Sequence, residues 1–327
     1  MPAQPLISII IPVYNAAETL GQCLDAVNNS TCRDFECLVA DDGSWDESSD
    51  IAAGKGARVI PIAERQGPAS ARNVAAASAC GEILLFIDAD VRIQPNTLEQ
   101  VAKAFAEEPK LDALIGSYDD DPAASNFVSQ YKNLMHCFVH QQGKRRASTF
   151  WTGCGAIRRS VFLASGGFDQ RYRRPSTEDI ELGARLIRAG RKIELEPSLT
   201  VKHLKRWTLM GLLESDIRDR AIPWTLLMLR ERHIPNDLNV QWSQRVSVAL
   251  VYVALSTLLL YWPVSVGLVA VVIAMNWPFY RFLGERRGVF FAVRAVPLHL
   301  LYFIYSGAAF LAACGMTLTT SRQPSRS

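Results

Sequence analysis

The chain has 327 residues, 35 Lys and Arg against 32 Asp and Glu for a formal net charge of +3, and 49% apolar residues. So small a net charge excludes binding to nucleic acid through bulk charge, and the apolar share excludes a disordered chain. Cysteines at 23, 32, 37, 80, 137, 154 and 314 form no C-x-x-C pair and leave one over, which argues for reduced thiols in a cytosolic compartment and against a disulfide framework or zinc site.

No basic region precedes the first apolar run, so no signal peptide is expected and the N-terminal part is expected to stay in the cytosol. Leu6-Ile7-Ser8-Ile9-Ile10-Ile11 is apolar and β-branched and predicts a central strand, ended by Pro12-Val13-Tyr14-Asn15. Residues 16–28 have helical spacing (Leu20, Leu24, Val27), with Asn15 as the expected cap. Residues 35–40 predict a second strand closed by Asp41-Asp42-Gly43-Ser44. A helix over 45–55, a short strand over 58–61 and a small-residue helix over 67–79 containing Arg72 and Asn73 follow. Residues 83–87 predict a buried strand that stops at Asp88-Ala89-Asp90, and 96–107 another helix. This alternation predicts a parallel sheet with helices on both faces.

Such sheets take ligands beyond the carboxyl ends of their strands, where three polar turns fall: Tyr14-Asn15, Asp41-Asp42 and Asp88-x-Asp90. Two carboxylates spaced i, i+2 suit Mg2+ or Mn2+ bridging to phosphate oxygens. A lone D-x-D is more often only an Asp-rich turn at a strand end. Three such turns on one sheet shift the balance towards a ligand site.

Ile10-Ile11-Pro12-Val13-Tyr14-Asn15, Asp41-Asp42-Gly43-Ser44-x-Asp46, Gly67-x-x-x-Ala71-Arg72-Asn73 and Asp88-x-Asp90, in that order, resemble glycosyltransferase family 2, the inverting enzymes of GT-A fold, over residues 5–235. The resemblance implies an α/β fold, a Rossmann-like GT-A domain with a mixed, mainly parallel sheet. By resemblance Pro12, Tyr14 and Asn15 border the nucleotide, Tyr14 stacking on the base, while Asp42 hydrogen-bonds the base. It places Arg72 near the diphosphate, Asp90 on the metal, and Asp88 on ribose or the metal. An aromatic face suits a base, and a dication neutralises a leaving diphosphate.

Asp119-Asp120-Asp121 reads as a solvated loop, and residues 127–140 as an amphipathic helix whose His136 and His140 lack any metal-site context. Phe150-Trp151-Thr152-Gly153-Cys154-Gly155 resembles the family's acceptor-side segment, so Trp151 and Gly153 are acceptor-side candidates; Cys154 reads as a small buried residue. Thr177 is the expected cap of a helix opening with Glu178-Asp179. These acids match the family's acidic motif, which makes Asp179 the expected base for a hydroxyl acceptor, with Glu178 beside it. A helix ending at Ala189-Gly190 and a strand over 192–195 follow. His203-x-x-Arg206-Trp207 is similar to the (Gln/Arg)-x-x-Arg-Trp motif of ceramide glucosyltransferases and polysaccharide synthases, but its first residue departs from it. The likeness implies that Arg206 faces the diphosphate and Trp207 shapes the acceptor site. His203 is then a third metal ligand or a diphosphate contact.

Residues 208–232 mix Leu, Met and Trp224 with four arginines and a breaking Pro223, and predict interfacial helices. The apolar runs 246–262, 264–282 and 290–314 predict three membrane spans with Arg286 and Arg287 inside and Arg322 and Arg326 outside. The expected organisation is therefore a catalytic domain over 1–205, interfacial helices over 206–243, a transmembrane region over 244–316 and a polar tail over 317–327. The expected protein is a multi-pass inner-membrane hexosyltransferase with its catalytic domain in the cytoplasm. It would use Mg2+ or Mn2+ and a nucleotide sugar, expected to be a UDP-hexose, to glycosylate a lipid hydroxyl. A polyprenyl-phosphate glycosyltransferase, a polysaccharide synthase and a catalytically silent nucleotide-sugar-binding membrane protein are the alternatives.

Overall fold

Strands and helices alternate from the N-terminus: β1 (Ile7–Val13), α1 (Ala17–Asn28), β2 (Phe35–Asp41), α2 (Ser48–Gly54), β3 (Arg58–Pro61), α3 (Pro68–Ser78) and β4 (Ile83–Phe86). Then come β5 (Val91–Ile93), α4 (Thr97–Glu107), β6 (Ala113–Tyr118), α5 (Phe127–Gln141), β7 (Gly155–Arg158), α6 (Arg159–Ala164), α7 (Glu178–Arg188) and β8 (Ile193–His203). The computed structural model describes residues 4–232, Asp237 and residues 240–320, which fall into two units dividing between Trp207 and Thr208.

The described residues of the first unit build one eight-stranded sheet in the order β3-β2-β1-β4-β7-β6-β8-β5. The half read from the sequence, β3-β2-β1-β4, is parallel, with Val13 opposite Asp41 and Ile10 opposite Phe86. This register puts the residues after β1, β2 and β4 at one edge of the sheet. The other half is mixed: β7 runs antiparallel to β4 and β6, β6 and β8 are parallel, and β5 closes the sheet antiparallel to β8. The β5–β8 pairing sets Val91 opposite His203 and brings the Asp88–Asp90 turn beside the end of β8.

Both faces of the sheet are buried, as a parallel core requires. Ile7, Ile9, Ile11 and Leu85 pack against Leu20 and Leu24 of α1 and Leu98 and Val101 of α4. On the other face Ile10, Leu38, Leu84 and Phe86 pack against the alanines of α3, Phe162 of α6 and Leu182 and Leu186 of α7. Phe86 is ringed by Phe162 and Phe168, with centroids at 5.2 and 5.1 Å, and by Phe150 at 6.2 Å. That aromatic cluster fixes the strand end from which Asp88 projects.

Two expected caps are not formed. Asn15 has φ of +50° and does not cap α1. Instead Ser48 Oγ and Asp46 Oδ2 accept from the backbone N–H groups of Ala16 (2.8 Å) and Ala17 (3.1 Å). The loop after β2 and the first residue of α2 therefore satisfy two donors at the start of α1. At α7 the buried Thr177 hydroxyl has no hydrogen-bond partner among the described residues, and the acids that follow do the local work described below.

The second unit is helical: α8 (Leu209–Glu214), a π-helical turn over Ser215–Ala221, α9 (Ile222–Glu231), α10 (Trp242–Thr257), α11 (Trp262–Met275), α12 (Trp277–Arg287) and α13 (Val289–Thr320). The chain does not break at Pro223; the π-helical turn just ahead of it changes the hydrogen-bond register and accommodates the missing N–H.

The three expected spans are not present as such. α10, which carries most of the first run, has 16 residues, about 24 Å, and the second run is divided between α11, with 14 residues and about 21 Å, and the start of α12, against a hydrocarbon core of about 30 Å. Among the described residues, α13 alone is long and apolar enough to cross a membrane; α11 and α12, bent by 65°, qualify only if taken together as one broken span. The bend has a local cause. Pro278 cannot continue the helix, and buried Asn276 donates to Ser247 Oγ (3.0 Å) and to the carbonyl of Val272 (2.9 Å) while accepting from Gln244 (3.1 Å). Counting apolar residues passed over both residues. Arg322 and Arg326 and most of the expected polar tail lie outside the described residues.

Gly183 sets how closely α7 approaches the segment leading into β7: a Cβ there would stand 2.3 Å from the backbone nitrogen of Phe150. Gly183→Ala is expected to destabilise the first unit by about 1–3 kcal/mol, read as a lower denaturant midpoint with unchanged m-value.

Candidate active site

At the centre of the carboxyl edge lies a buried arginine. Arg72, on α3, is 4% exposed. Its guanidinium donates from Nη2 to Asp88 Oδ1 at 2.7 Å and from Nη1 to Glu178 Oε1 at 2.8 Å. Burial alone would depress this guanidinium, but Asp88 and Glu178 outweigh it and hold its pKa above the ordinary value. Burial also raises the Asp88 carboxyl; the Arg72 charge opposes this, and Asp90 and Glu178 add to the rise. Arg72 was expected near a diphosphate. Its two terminal nitrogens tie the turn after β4 to the start of α7.

α3 is held in turn by Asn73, whose side chain donates to the carbonyl of Phe168 and accepts from its N–H, both at 2.8 Å. The alanines at 69, 71, 75 and 76 are all buried, so α3 can lie close enough to β1 and β2 for Arg72 to reach Asp88. The turn before α3 is equally tight: Gly67 has φ of +97°, and a Cβ there would meet the carbonyl oxygen of Arg173 at 2.4 Å.

Glu178 and Asp179 divide their work. Glu178 is buried, and its second oxygen accepts from Ser176 N–H at 2.8 Å. Asp179 is only half-buried. It accepts from Ile180 N–H at 2.7 Å and from Thr152 N–H at 3.3 Å, which places it against the segment carrying Trp151 and Gly153. The Trp151 indole folds back over Gly153, where a Cβ would lie 2.3 Å from the ring. That ring also meets Tyr118 and His140 edge-on, at 4.8 and 4.9 Å.

Asp90 faces His203, Oδ2 to Nε2 at 3.5 Å. Burial raises the Asp90 carboxyl, but the hydrogen bond and charge of His203, with the charge of Lys205, outweigh this and hold it below its ordinary value. The separation is about half an ångström wider than the edge, about 3 Å, of an octahedron with ligands at about 2.1 Å, so a small inward turn of either side chain would close it. An oxygen and an imidazole at that spacing, with half-buried Asp88 two residues away, fit a Mg2+ or Mn2+ ion whose remaining ligands come from elsewhere. Among the described residues no group of three or more such side chains forms a closed cage.

At the end of β1, the Tyr14 ring lies 3.8 Å under the guanidinium of Arg65. Asn15 accepts from Trp45 N–H at 3.0 Å and donates its own N–H to Ser44 Oγ at 3.0 Å, so the turn carrying Tyr14 is fixed to the loop after β2. Asp42, 2% exposed, accepts from the N–H groups of Gln66 and Gly67, both at 2.8 Å, and so holds the loop before α3. Half-buried Pro12 is the last but one residue of β1, opposite Ala40 of β2. Arg206 is exposed. Trp207 is buried under Lys205, whose Nζ lies 4.2 Å over its ring, and its indole N–H has no hydrogen-bond partner among the described residues. The acidic loop is clamped, not free: Lys202 reaches Asp121 at 2.6 Å and Asp119 at 3.4 Å. Burial pushes the Cys154 thiol up to about 12, which removes it as a nucleophile.

Sequence reasoning missed three residues here. Tyr118 stacks on His203 at 4.5 Å and orients it; its signal was an apolar run, residues 113–118, stopping at acids as residues 83–87 do. Arg65 and Lys205 belong to no motif singled out in the sequence and are visible only as ring contacts in three dimensions.

Residues 8–165 match the model of glycosyl transferase family 2. A PGL/p-HBAD biosynthesis glycosyltransferase of Mycobacterium bovis is 39% identical over 120 residues, 35% of this chain and 47% of that protein. Validoxylamine A glucosyltransferase of Streptomyces hygroscopicus subsp. jinggangensis is 29% identical over 222 residues, 57% of this chain and 52% of that protein. The matches thus span about half the length of these curated relatives. Among solved structures, a mannosyltransferase from Pyrobaculum calidifontis in complex with GDP-Man and Mn2+ superposes with a TM-score of 0.61 at 18% identity, covering 95% of this chain and 88% of the other. S. aureus TarS 1-349 in complex with UDP-GlcNAc gives 0.53 at 18% identity, covering 94% and 88%. The fold is GT-A.

Removing Arg72 strands two partly or fully buried carboxylates. Arg72→Met is expected to cost about 3–5 kcal/mol in chemical denaturation, and adding Glu178→Gln to recover part of that loss.

Proposed function

We propose that the protein is an inverting glycosyltransferase, because residues 8–165 match the model of glycosyl transferase family 2 and the fold is GT-A. In this reading it moves a hexose from a nucleotide sugar, a UDP-sugar first among them, to a hydroxyl of a membrane lipid at the cytosolic leaflet. The observation that carries the reading is the division of labour at the start of α7. Glu178 is committed to Arg72 and to Ser176, while half-buried Asp179 stands beside the Trp151–Gly153 segment. One positioned carboxylate is what a single displacement needs: it takes the acceptor hydroxyl's proton as that oxygen attacks C1 from the face opposite the nucleotide.

The other residues take supporting parts. Tyr14 offers a face to the base and Pro12 and Asn15 shape its border. Asp42 holds the loop beside the base through Gln66 and Gly67, and in this reading its oxygens also accept from the base edge. Asp88 faces the ribose, oriented by Arg72. Asp90 and His203, with Asp88 beside them, hold Mg2+ or Mn2+; when bound, that ion neutralises the leaving diphosphate. Arg206 adds charge on the same side. Trp151, Gly153 and Trp207 form the acceptor side. Solved proteins of this fold carry GDP-Man or UDP-GlcNAc, which supports a nucleotide sugar as donor class. The lipid acceptor rests on α13, long and apolar enough to span a bilayer, and on the exposed Leu259, Leu260 and Trp262 at the α10–α11 turn.

Incubation of the full chain with radiolabelled UDP-sugars, Mn2+ or Mg2+ and a total lipid extract is expected to give a labelled lipid. Asp179→Asn should lower kcat by roughly 10²–10⁴-fold with little change in donor KM; Glu178→Gln should instead lower stability. Absence of labelled lipid, together with no shift of Tm by donor or metal, would sink the proposal.

A further inference from the structure

We propose that Arg65 is the second face of the nucleobase site: the base enters between the Tyr14 ring and the Arg65 guanidinium and is held as the middle layer of a sandwich. The inference rests on the donor-site reading given above and extends it to a residue which that reading does not use.

Three observations carry it. First, the guanidinium carbon lies 3.8 Å over the centre of the Tyr14 ring, so the cation covers a face assigned to the base. Second, the backbones behind both groups are fixed. Tyr14 sits between the end of β1 and Asn15, which is bonded to Ser44 and Trp45. Arg65 precedes two N–H groups held by Asp42, and its own nitrogen would lie 3.4 Å from a Cβ on Gly43. Third, Arg65 is exposed. Its long side chain can lift away while its Cα stays in place, whereas buried Asp42 and Arg72 cannot move without breaking their bonds.

The geometry sets the motion. A planar base needs its two neighbours about 7 Å apart, twice the contact distance of about 3.5 Å between flat groups. The guanidinium must therefore retreat by about 3–4 Å, within the reach of side-chain torsions alone. It then exchanges one aromatic face for another, so its cation–π contact is kept and not lost. Each face contacts only the π-surface of the base, so Arg65 adds affinity for the nucleotide without touching the sugar or the reacting carbon. Its removal should raise donor KM and leave kcat unchanged.

The test uses the full chain, with UDP or GDP (whichever binds wild type more tightly) and inorganic pyrophosphate as the probe without a base. Arg65→Ala is expected to weaken nucleotide binding about 5- to 30-fold, to leave pyrophosphate affinity within about twofold, and to leave Tm unchanged. Arg65→Lys, which keeps the charge but not the plane, should recover less than half of the loss. Combining Arg65→Ala with Tyr14→Ala should cost less than the product of the single effects, because either change alone opens the sandwich. Nucleotide affinity that is unchanged or tighter in Arg65→Ala overturns the proposal, as does an equal loss for pyrophosphate, which would make Arg65 a phosphate contact. A wild type that binds neither nucleotide overturns the donor-site reading and this one together.

Discussion

The architecture of the site depends on one buried cation. Arg72 stands between a carboxylate at the end of a parallel strand and another at the start of a helix, 106 residues along the chain from the arginine itself. Burying three charges is costly, and two apolar groups of similar shape would hold these elements together as well or better. What the ion triad adds is direction. A guanidinium fork fixes the angle as well as the distance of each carboxylate, so the donor edge and the start of α7 share one reference point. Asn73 and the small residues of α3 hold that reference in place.

Much of this could be read from the amino-acid sequence, and the exceptions follow a physical pattern. β1, β2 and β4 are continuous apolar runs ending in polar turns, the mark of buried parallel strands, and the carboxyl-edge residues were found through them. The antiparallel half was missed. β5 has three residues, and β7 is Gly155-Ala156-Ile157-Arg158, with too little side chain to show a pattern. β8 was read as four residues and has eleven, because Glu196-Pro197-Ser198 interrupts its apolar signal where its pairing with β6 shifts register. Pairing across the sheet, not local propensity, makes these segments strands. Tyr118 was lost with β6, although it stacks on a candidate ligand.

Motif residues also proved to do two kinds of work. Asp41 and Asp46 lie within a run that looks chemical, yet Asp41 bonds Ser44 and Ser49 and Asp46 caps α1. Glu178 was paired with Asp179 as a catalytic candidate and is tied to Arg72. In the helical unit the same lesson has the opposite sign. Apolar content over 246–282 was read as two spans, while Asn276 and Pro278, two residues among many, decide that the second bends.

The buried thiols make the two sides of the site separately observable. Cys23 lies behind the donor edge, its sulfur 3.7 Å from the carbonyl oxygen of Asp88, and Cys154 is sealed within the aromatic segment beside Asp179. Burial raises the pKa of both, so alkylating reagents reach them only when their surroundings open. Cys80, exposed just before β4 at the opposite edge of the sheet, is an internal control that reacts without opening. Alkylation rates at these three positions, followed by mass spectrometry, form a clock for local breathing, with one hand on each wall of the cleft.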